Sequence, residues 1–435
     1  MKKVLIITYY WPPCGGIGVL RNLKFVKYLR EFGWEPVVFI PKNAQYPYYD
    51  ANNLKDIPEG LEIITQEIFE PYNLFKKLTG KNKDTPLNNP VAVRDTELKL
   101  KDKLGIWLRG NFFIPDARMF WIKPSVKRLI KYIRENKIDA IYSDGPPHTN
   151  TRIATLVKKA TNIPWLADFQ DPWSQVDYLE RFMLTPLAWE KHRKMEQQAF
   201  KYADKITTAS PRSALQLQEI GARDVSSIYY GYDESDFHNL ETNPKSKFRI
   251  THAGLLGIDR APDGLYKALN KLLVNHASLG SHLEISLAGQ ADYEVLEQFK
   301  EFGLWQFVSE LGTISRREVL QLITDSSVLL LCINKASNAD GRIPAKIFEY
   351  VRTGNHVLAL GPIESDISDI LRDINAQPTF DYNDETGIYQ FLEYAYLDFL
   401  KNKTTLSLNS NVSKYSNYQT TKQLAYFLNK ITAES

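Results

Sequence analysis

The chain has 435 residues, 43% hydrophobic and 12% aromatic, which is too long for one core and apolar enough to fill two. Its 54 Lys and Arg and 51 Asp and Glu give a net charge of +3. This charge is too balanced to indicate a nucleic-acid-binding protein, which would be strongly basic. Cys14 and Cys332 lie in different halves, which argues against a disulfide framework. The seven histidines form no cluster at metal-ligand spacing, so neither a metal nor another cofactor is expected.

The N-terminus superficially resembles a secretory signal, because Met1-Lys-Lys precedes the apolar run 4–7. That run stops at Trp11-Pro-Pro, and no small-residue cleavage site follows it. No window of 18 apolar residues occurs in the sequence, so no membrane span is predicted. A cytoplasmic protein is therefore expected.

Strand-like and helical segments alternate through the first half. Strands are predicted at residues 3–9, 35–40, 140–143, 164–168, 205–209 and 226–230. Helices are predicted between them at residues 19–32, 123–135, 151–160 and 187–202. Alternation of this kind indicates an α/β fold with parallel sheets covered by helices on both faces.

A segment that does not fit this alternation lies at residues 67–110. Lysines at 76, 77, 81, 83, 99, 101 and 103 are interleaved there with apolar side chains. A basic amphipathic insertion of this kind is suited to peripheral contact with the anionic inner face of a cell membrane or to guiding an acceptor. The alternative is a solvated insertion that packs its apolar side on its own domain.

The pattern restarts in the second half. Further strands are predicted at residues 248–252, 282–288, 307–311, 328–333 and 357–360, with helices at 262–275, 316–324 and 344–353. The polar stretch 233–247 is the predicted linker. The predicted domains are 1–240 and 241–415, with a C-terminal helix in 416–435 packing back on the first. Ligands are expected at the carboxyl ends of the strands of such doubly wound domains.

The segment from Arg342 to Tyr350 carries the strongest local signal. Pro344 after a buried strand predicts the first turn of a helix, whose free amides together with Lys346 suit a phosphate. Glu349, one turn on, can accept hydrogen bonds from the vicinal hydroxyls of a sugar. The segment predicts a nucleotide-diphosphate site, and the alternative is an ordinary helix with a solvated Lys and Glu.

Glycine loops follow the first strand of each half. Gly15 and Gly16 would let backbone amides approach a phosphate, although Arg21 stands where a dinucleotide fingerprint requires glycine. In the second half, the loop at Gly254 is followed by Arg260, which could pair bidentately with a diphosphate.

Polar residues also follow two later strands of the first half. His148 ends the sequence Asp-Gly-Pro-Pro-His, and Asp168 and Asp171 lie in Asp-Phe-Gln-Asp-Pro-Trp. Both segments would face the same predicted cleft. The alternatives are a loop histidine and an aspartate that caps a turn.

Five motifs in this order resemble the retaining glycosyltransferases of family 4. They are Tyr-Tyr-Trp-Pro-Pro-Cys-Gly-Gly (9–16), Asp-Gly-Pro-Pro-His (144–148), Asp-Phe-Gln-Asp-Pro-Trp (168–173), Gly-Tyr-Asp-Glu-Ser-Asp-Phe (231–237) and Ile-Pro-Ala-Lys-Ile-Phe-Glu-Tyr (343–350). The resemblance implies the GT-B fold, in which two Rossmann-like domains face each other across a cleft. It also implies a nucleotide-diphosphate sugar as donor and a saccharide or lipid-linked acceptor.

The resemblance assigns the donor site to the second domain. Glu349 matches the second glutamate of the family's Glu-x7-Glu motif, which binds the nucleotide ribose. The diphosphate would be neutralised by Lys346, Arg260 and the amides at Gly15 and Gly16, and the implied donor set also includes Gly254, Asp340 and Ala345. The sequence departs from the family pattern at Gly341, where the first glutamate would fall beside Asp340. It departs again at Leu255 and Ala261, where the family places basic residues.

The resemblance also implies the chemistry. The acceptor attacks from the face that the diphosphate leaves, so the implied catalytic residues His148, Arg260 and Lys346 position the sugar and stabilise charge. Asp168 and Asp171 would bind the acceptor. No Asp-x-Asp triplet occurs in the sequence, which fits a metal-independent enzyme of surface polysaccharide or glycolipid synthesis. The alternatives are a sugar-nucleotide epimerase of similar fold and a non-catalytic scaffold that binds a nucleotide sugar.

Overall fold

The protein is described from a computed structural model, which covers residues 1–70, 100–241, 245–401 and 410–433. The chain divides into two compact units. The first unit comprises Met1–Tyr229 with Thr420–Ser435, and the second unit comprises Tyr230–Gln419. Each unit is built on one wholly parallel sheet flanked by helices, so the predicted α/β class is confirmed.

The sheet of the first unit has seven strands in the order β3-β2-β1-β4-β5-β6-β7. The strands are β1 (Lys2–Ile7), β2 (Trp34–Pro41), β3 (Glu62–Gln66), β4 (Ala140–Gly145), β5 (Trp165–Phe169), β6 (Lys205–Thr208) and β7 (Val225–Ser227). The helices are α1 (Ile17–Tyr28), α2 (Leu100–Phe112), α3 (Ile122–Glu135), α4 (His148–Thr161), α5 (Pro186–Tyr202) and α6 (Pro211–Glu219).

Alternation of side chains along β1 explains why this sheet is covered on both faces. Leu5 and Ile7 belong to one buried cluster, whereas Val4 and Ile6 belong to another on the opposite face. Both sets are fully or almost fully buried, as the period-2 geometry of a central parallel strand requires.

The C-terminal helix, α14 (Asn417–Ala433), contributes to the core of the first unit. Leu424, Leu428 and Ile431 are spaced at the helical period and are buried in the same cluster as Val4 of β1. The chain therefore leaves the first unit after Tyr229 and returns to it with this helix.

The sheet of the second unit has five strands in the order β10-β9-β8-β11-β12. The strands are β8 (Phe248–Ala253), β9 (Leu283–Ala288), β10 (Val308–Gly312), β11 (Val328–Cys332) and β12 (His356–Leu360). The helices are α7 (Asp263–Asn275), α8 (Leu279–His282), α9 (Tyr293–Glu301), α10 (Arg316–Thr324), α11 (Lys346–Thr353), α12 (Asp366–Asp373) and α13 (Glu385–Leu400).

The basic insertion predicted at residues 67–110 falls largely on residues 71–99, which lie outside the described part of the chain. Its last described portion is α2, which begins at Leu100. Within the described residues, none of the helices combines the length and apolar character that crossing a bilayer requires.

Candidate functional site

Helix α11 positions two of the predicted site residues in the second unit. Tyr350 is fully buried, and its hydroxyl accepts a hydrogen bond of 3.0 Å from the amide of Ala253 at the carboxyl end of β8. Lys346 lies one helical turn before Tyr350, on the same side of the helix. Lys346 is therefore held at the carboxyl end of β8, where a doubly wound domain binds its ligands.

The Lys346 ammonium lies in a partly desolvated position against a neutral imidazole. Its Nζ is 3.4 Å from Nε2 of buried His252, whose Nδ1 lies 3.1 Å from the carbonyl oxygen of Leu330. Burial, reinforced by the Lys346 charge, holds the pKa of His252 well below its ordinary value. Burial also lowers the pKa of Lys346 to about 8, so the side chain would gain from an anionic ligand.

Two glycines allow the loops after β8 and β9 to approach each other closely. Gly254 has φ +111°, and a Cβ there would lie 3.0 Å from Nζ of Lys346. Gly289 has φ +123°, and a Cβ there would lie 2.4 Å from the carbonyl oxygen of Gly254. Because only glycine adopts such φ values without strain, this sequence keeps the space in front of Lys346 open.

The Arg260 guanidinium already has an anionic partner. Its Nε and Nη2 donate to the two carboxylate oxygens of Asp259 at 2.9 and 3.0 Å. A diphosphate would have to displace this carboxylate or use the remaining edge of the guanidinium. The predicted role of Arg260 therefore stays a prediction, and Asp259 is its competitor.

Glu349 is clamped by an arginine that sequence analysis missed. Nη2 of Arg316 lies 2.9 Å from Oε1 of Glu349 and 2.8 Å from Oδ2 of Asp236. Burial lowers the pKa of Arg316, but the two carboxylates raise it by more, so the guanidinium stays charged. Arg316 opens α10, whose N-terminus is fixed by a reciprocal capping box between Ser315 and Glu318.

The motif 231–237 also holds α11 in place, through two ion pairs. Asp236 reaches Glu349 through Arg316, and Glu234 forms an ion pair with Arg352 of α11. Arg352 also lies over the ring of Phe237, 5.1 Å from its centroid. Residues 233–237 of this motif fall within the predicted linker, and their ion pairs orient the helix that carries Glu349.

The prediction that α11 begins at Pro344 was wrong by two residues. The helix begins at Lys346, because a tight turn comes first, in which Ile347 donates to the carbonyl of Pro344 and Phe348 to that of Ala345. The amides of Ile347 and Phe348 are thus not free for a phosphate. Any role of this turn falls on the amides of Ala345 and Lys346. Asp340 lies upstream in a 3-10 turn, where its carboxylate accepts from the Gly341 amide at 2.9 Å.

Only one of the two predicted phosphate amides of the first unit is available. The amide of Gly15 is buried and donates to the carbonyl of Tyr48 at 2.9 Å, so its predicted contact with a phosphate was wrong. Gly16 is exposed, has φ +85° and precedes α1. The contact between its amide and a phosphate therefore stays a prediction.

His148 is not a loop residue but the first residue of α4, and it is 5% exposed. Its ring stacks in parallel on Trp173, with centroids 4.4 Å apart and planes 3° apart. Burial lowers the pKa of His148 to about 3, so the imidazole is neutral near pH 7. A direct contact between His148 and a transferred sugar stays a prediction.

Asp168 does not have the exposure that binding an acceptor requires. Its side chain is fully buried, and its two carboxylate oxygens accept from Nε and Nη2 of Arg21 at 2.8 and 3.1 Å. The hydroxyls of Tyr142 and Thr207 also donate to it, at 2.8 and 2.7 Å. The predicted acceptor role of Asp168 is therefore corrected to a structural one. Asp171 is exposed, and its acceptor role stays a prediction.

Comparisons with solved structures identify the fold. HepE of Anabaena, solved with UDP and with UDP-glucose, is 14% identical over 99% of this chain and 100% of its own, with a TM-score of 0.60. Sucrose-phosphate synthase of Thermosynechococcus elongatus is 13% identical over 100% of both chains, with a TM-score of 0.60. A third structure, from Listeria monocytogenes, is provisionally assigned as a UDP-N-acetylglucosamine 2-epimerase. It is 12% identical over 100% of this chain and 98% of its own, with a TM-score of 0.54.

The predicted fold, with two Rossmann-like domains of the GT-B type, is thereby confirmed. No protein-family model and no curated protein matches the sequence. At identities of 14% and below, the likeness to solved structures establishes the fold alone.

Proposed function

We propose that this protein is a retaining glycosyltransferase that moves a hexose from a nucleotide-diphosphate sugar to a saccharide or lipid-linked acceptor. The observation that carries the proposal is the pair of polar side chains on α11. Lys346 is held at the carboxyl end of β8 with a lowered pKa, and Glu349 is held by Arg316 less than one turn further on. A cation for the diphosphate and a carboxylate for the ribose hydroxyls describe a donor site.

The proposed reaction asks the protein for position and charge. The acceptor oxygen forms a bond to the anomeric carbon on the face from which the diphosphate departs. The bond from that carbon to the diphosphate oxygen breaks, and its electron pair leaves with the nucleotide. The acceptor proton passes to the departing diphosphate. Lys346 stabilises the charge that develops there, a contribution that fixed charges in a desolvated site make effectively.

The proposed setting is the cytoplasm, with surface polysaccharide or glycolipid as the product. Protein cations take the place of a divalent metal in this proposal. Among the described residues, Lys346 would neutralise the diphosphate. Arg260 could contribute only if its guanidinium were released from Asp259.

Donor binding is tested by thermal unfolding with millimolar UDP, GDP, ADP and CMP. A ligand at about 100 times its Kd stabilises the folded protein by roughly 2.7 kcal/mol. We expect stabilisation by one diphosphate, its loss in Glu349→Ala, and its retention in Glu301→Ala, which removes an exposed carboxylate from α9. No shift with any nucleotide would overturn the donor site.

Turnover separates the alternatives. The nucleotide identified by binding is offered as its sugar conjugates, with and without an acceptor. Product formed only with an acceptor supports transfer, a new sugar nucleotide formed without one supports the epimerase, and binding without turnover supports the scaffold.

Removing Arg316 is expected to weaken nucleotide binding. Arg316→Met frees the Glu349 carboxylate to adopt other rotamers, so the ribose contact must be ordered at each binding event. We expect the Kd for the nucleotide found above to rise about tenfold, which is 1.4 kcal/mol. Titration calorimetry measures this change.

The matched control is Arg317→Met on the same helix, because Arg317 is exposed and reaches only the carbonyl of Asn239, at 3.4 Å, among its described contacts. An unchanged Kd in Arg316→Met, or an equal loss in Arg317→Met, would show that Glu349 needs no clamp.

A further inference from the structure

A cavity of about 250 Å³ lies within the first unit, beside the N-terminus of α4. Most of its wall is apolar, and it includes Phe113, Leu179, Phe182 and Leu184 together with the ring of Trp173. Of the residues predicted to act on the donor, His148 is the one that lines this cavity.

Two arginines give the apolar cavity a positive wall. Arg109 of α2 lies over the ring of Phe182, 5.6 Å from its centroid. Arg118 is 7% exposed and lies 4.4 Å from the centroid of the Tyr9 ring. Its Nε is 3.9 Å from a carboxylate oxygen of Glu70, which offsets that charge in part. Guanidinium groups held on aromatic faces suit a phosphate, which they can bind through two parallel hydrogen bonds.

The carboxylate of Asp116 in the cavity wall already accepts two hydrogen bonds. Asp116 accepts from the amide of Thr149 at 2.8 Å and from its hydroxyl at 2.9 Å, which fixes the first turn of α4. Among the described lining residues it is the one acidic side chain. Both of its oxygens already accept from Thr149, so it offers less to the hydroxyls of a free saccharide. Its negative charge remains, and an anion in the cavity has to be held by the two arginines against it.

Two neutral histidines add hydrogen-bonding capacity inside the cavity. Trp173 donates from Nε1 to Nδ1 of His192 at 3.1 Å, so the neutral His192 ring carries its proton on Nε2. Burial lowers the pKa of His192 to about 4. In His148, Nε2 is buried and has no hydrogen-bond partner among the described residues. A buried polar atom without a partner is costly. His148 lines the cavity, and a ligand that reached Nε2 would give this atom the partner that it lacks.

We infer that this cavity binds an acceptor that joins an apolar chain to a phosphate, with the chain against the aromatic and aliphatic wall and the phosphate against Arg109 and Arg118. The inference rests on the proposed function, because it chooses the lipid-linked class from the two acceptor classes named there. Its basis is an apolar cavity lined by two arginines and by His148, whose Nε2 is buried without a partner, with the Asp116 carboxylate already hydrogen-bonded to Thr149.

The inference is tested by titration calorimetry on the full chain with three probes kept below micelle formation. Geranyl phosphate carries both groups, geraniol lacks the phosphate, and glucose 1-phosphate lacks the apolar chain. We expect geranyl phosphate to bind at least about tenfold more tightly than either of the others, since each loses one half of the match. Equal binding of glucose 1-phosphate and geranyl phosphate would overturn the inference.

Variants then locate the binding. Arg109→Met should weaken geranyl phosphate about tenfold and leave geraniol unchanged, whereas Lys103→Met, which removes an exposed cation from the same helix, should change neither. Leu184→Trp fills the cavity and should weaken both ligands, with thermal unfolding run alongside to establish that the variant is folded. Geranyl phosphate binding that is indifferent to both Arg109→Met and Leu184→Trp would place the ligand elsewhere and end the proposal.

Failure of this inference can be told from failure of the proposed function. If geranyl phosphate binds through Arg109 but no nucleotide sugar is turned over, the cavity assignment stands and the transferase does not. If a free saccharide accepts sugar with a KM unaffected by Arg109→Met, the transferase stands and the cavity assignment fails.

Discussion

Replacing Lys346 with methionine is expected to lower kcat/KM about 100-fold to 1000-fold, the range found when one preorganised donor to a developing negative charge is removed. The neutral His252 behind Lys346 provides no charge that could substitute for it. Methionine preserves most of the buried length of the lysine side chain. The loss is therefore expected to be electrostatic, with a small effect on stability.

The measurement is initial-rate kinetics with the sugar nucleotide and acceptor identified by binding. Lys300→Met is the control, since Lys300 lies on α9 in the same unit and pairs only with Glu297 among its described ionic contacts. A kcat/KM for Lys346→Met within threefold of the wild-type value would remove Lys346 from the proposed site.

The lowered pKa of Lys346 gives this site a pH dependence of known sign. Its charged form binds the diphosphate, and that form is lost as pH rises through about 8 in the unliganded protein. Nucleotide affinity should therefore be level below pH 7 and fall toward tenfold per pH unit well above 8. Calorimetric titrations across this range test the expectation. Lys346→Arg should flatten the profile, because a guanidinium keeps its charge.

Most of the fold follows from patterns that the sequence makes visible. Strands with apolar residues on both faces, such as β1, are continuous runs that a local window detects. Strand β3 was missed because it is the edge of its sheet, where Ile64 is buried and Ile63 remains 39% exposed. An edge strand with one covered face carries too few apolar residues to stand out from a loop.

The site was predictable only where its residues share one short element. Lys346 and Glu349 could be inferred together because both lie on α11. Arg316 and His252 reach them from other elements, and no local pattern links an arginine to a glutamate 33 positions later, the distance from 316 to 349. The buried state of Asp168 was hidden for the same reason, since its partner Arg21 lies on α1.

Breaking the Arg21–Asp168 pair is expected to give the largest loss of stability from a single substitution proposed here. Both side chains are fully buried, and Arg21 also donates to the carbonyl of Tyr229, the last residue before the chain leaves the first unit. Asp168→Asn leaves the guanidinium buried without its counter-charge. Removal of one partner of such a pair costs about 3–5 kcal/mol. The free energy of unfolding is measured in urea, following the first unit by its own transition.

The double variant Arg21→Met/Asp168→Asn separates the pair from its surroundings. It removes both charges. Tyr142 and Thr207 donate to different oxygens of Asp168, so the single amide oxygen of asparagine can still accept from one of them, and the double variant should be less destabilised than the two single variants summed. Arg249→Met is the comparison, because its pair with Glu284 is partly exposed and should contribute less than about 1 kcal/mol. A loss in Asp168→Asn no larger than in Arg249→Met would mean that the anchor is dispensable, and the carboxylate would again be open to assignment as an acceptor ligand.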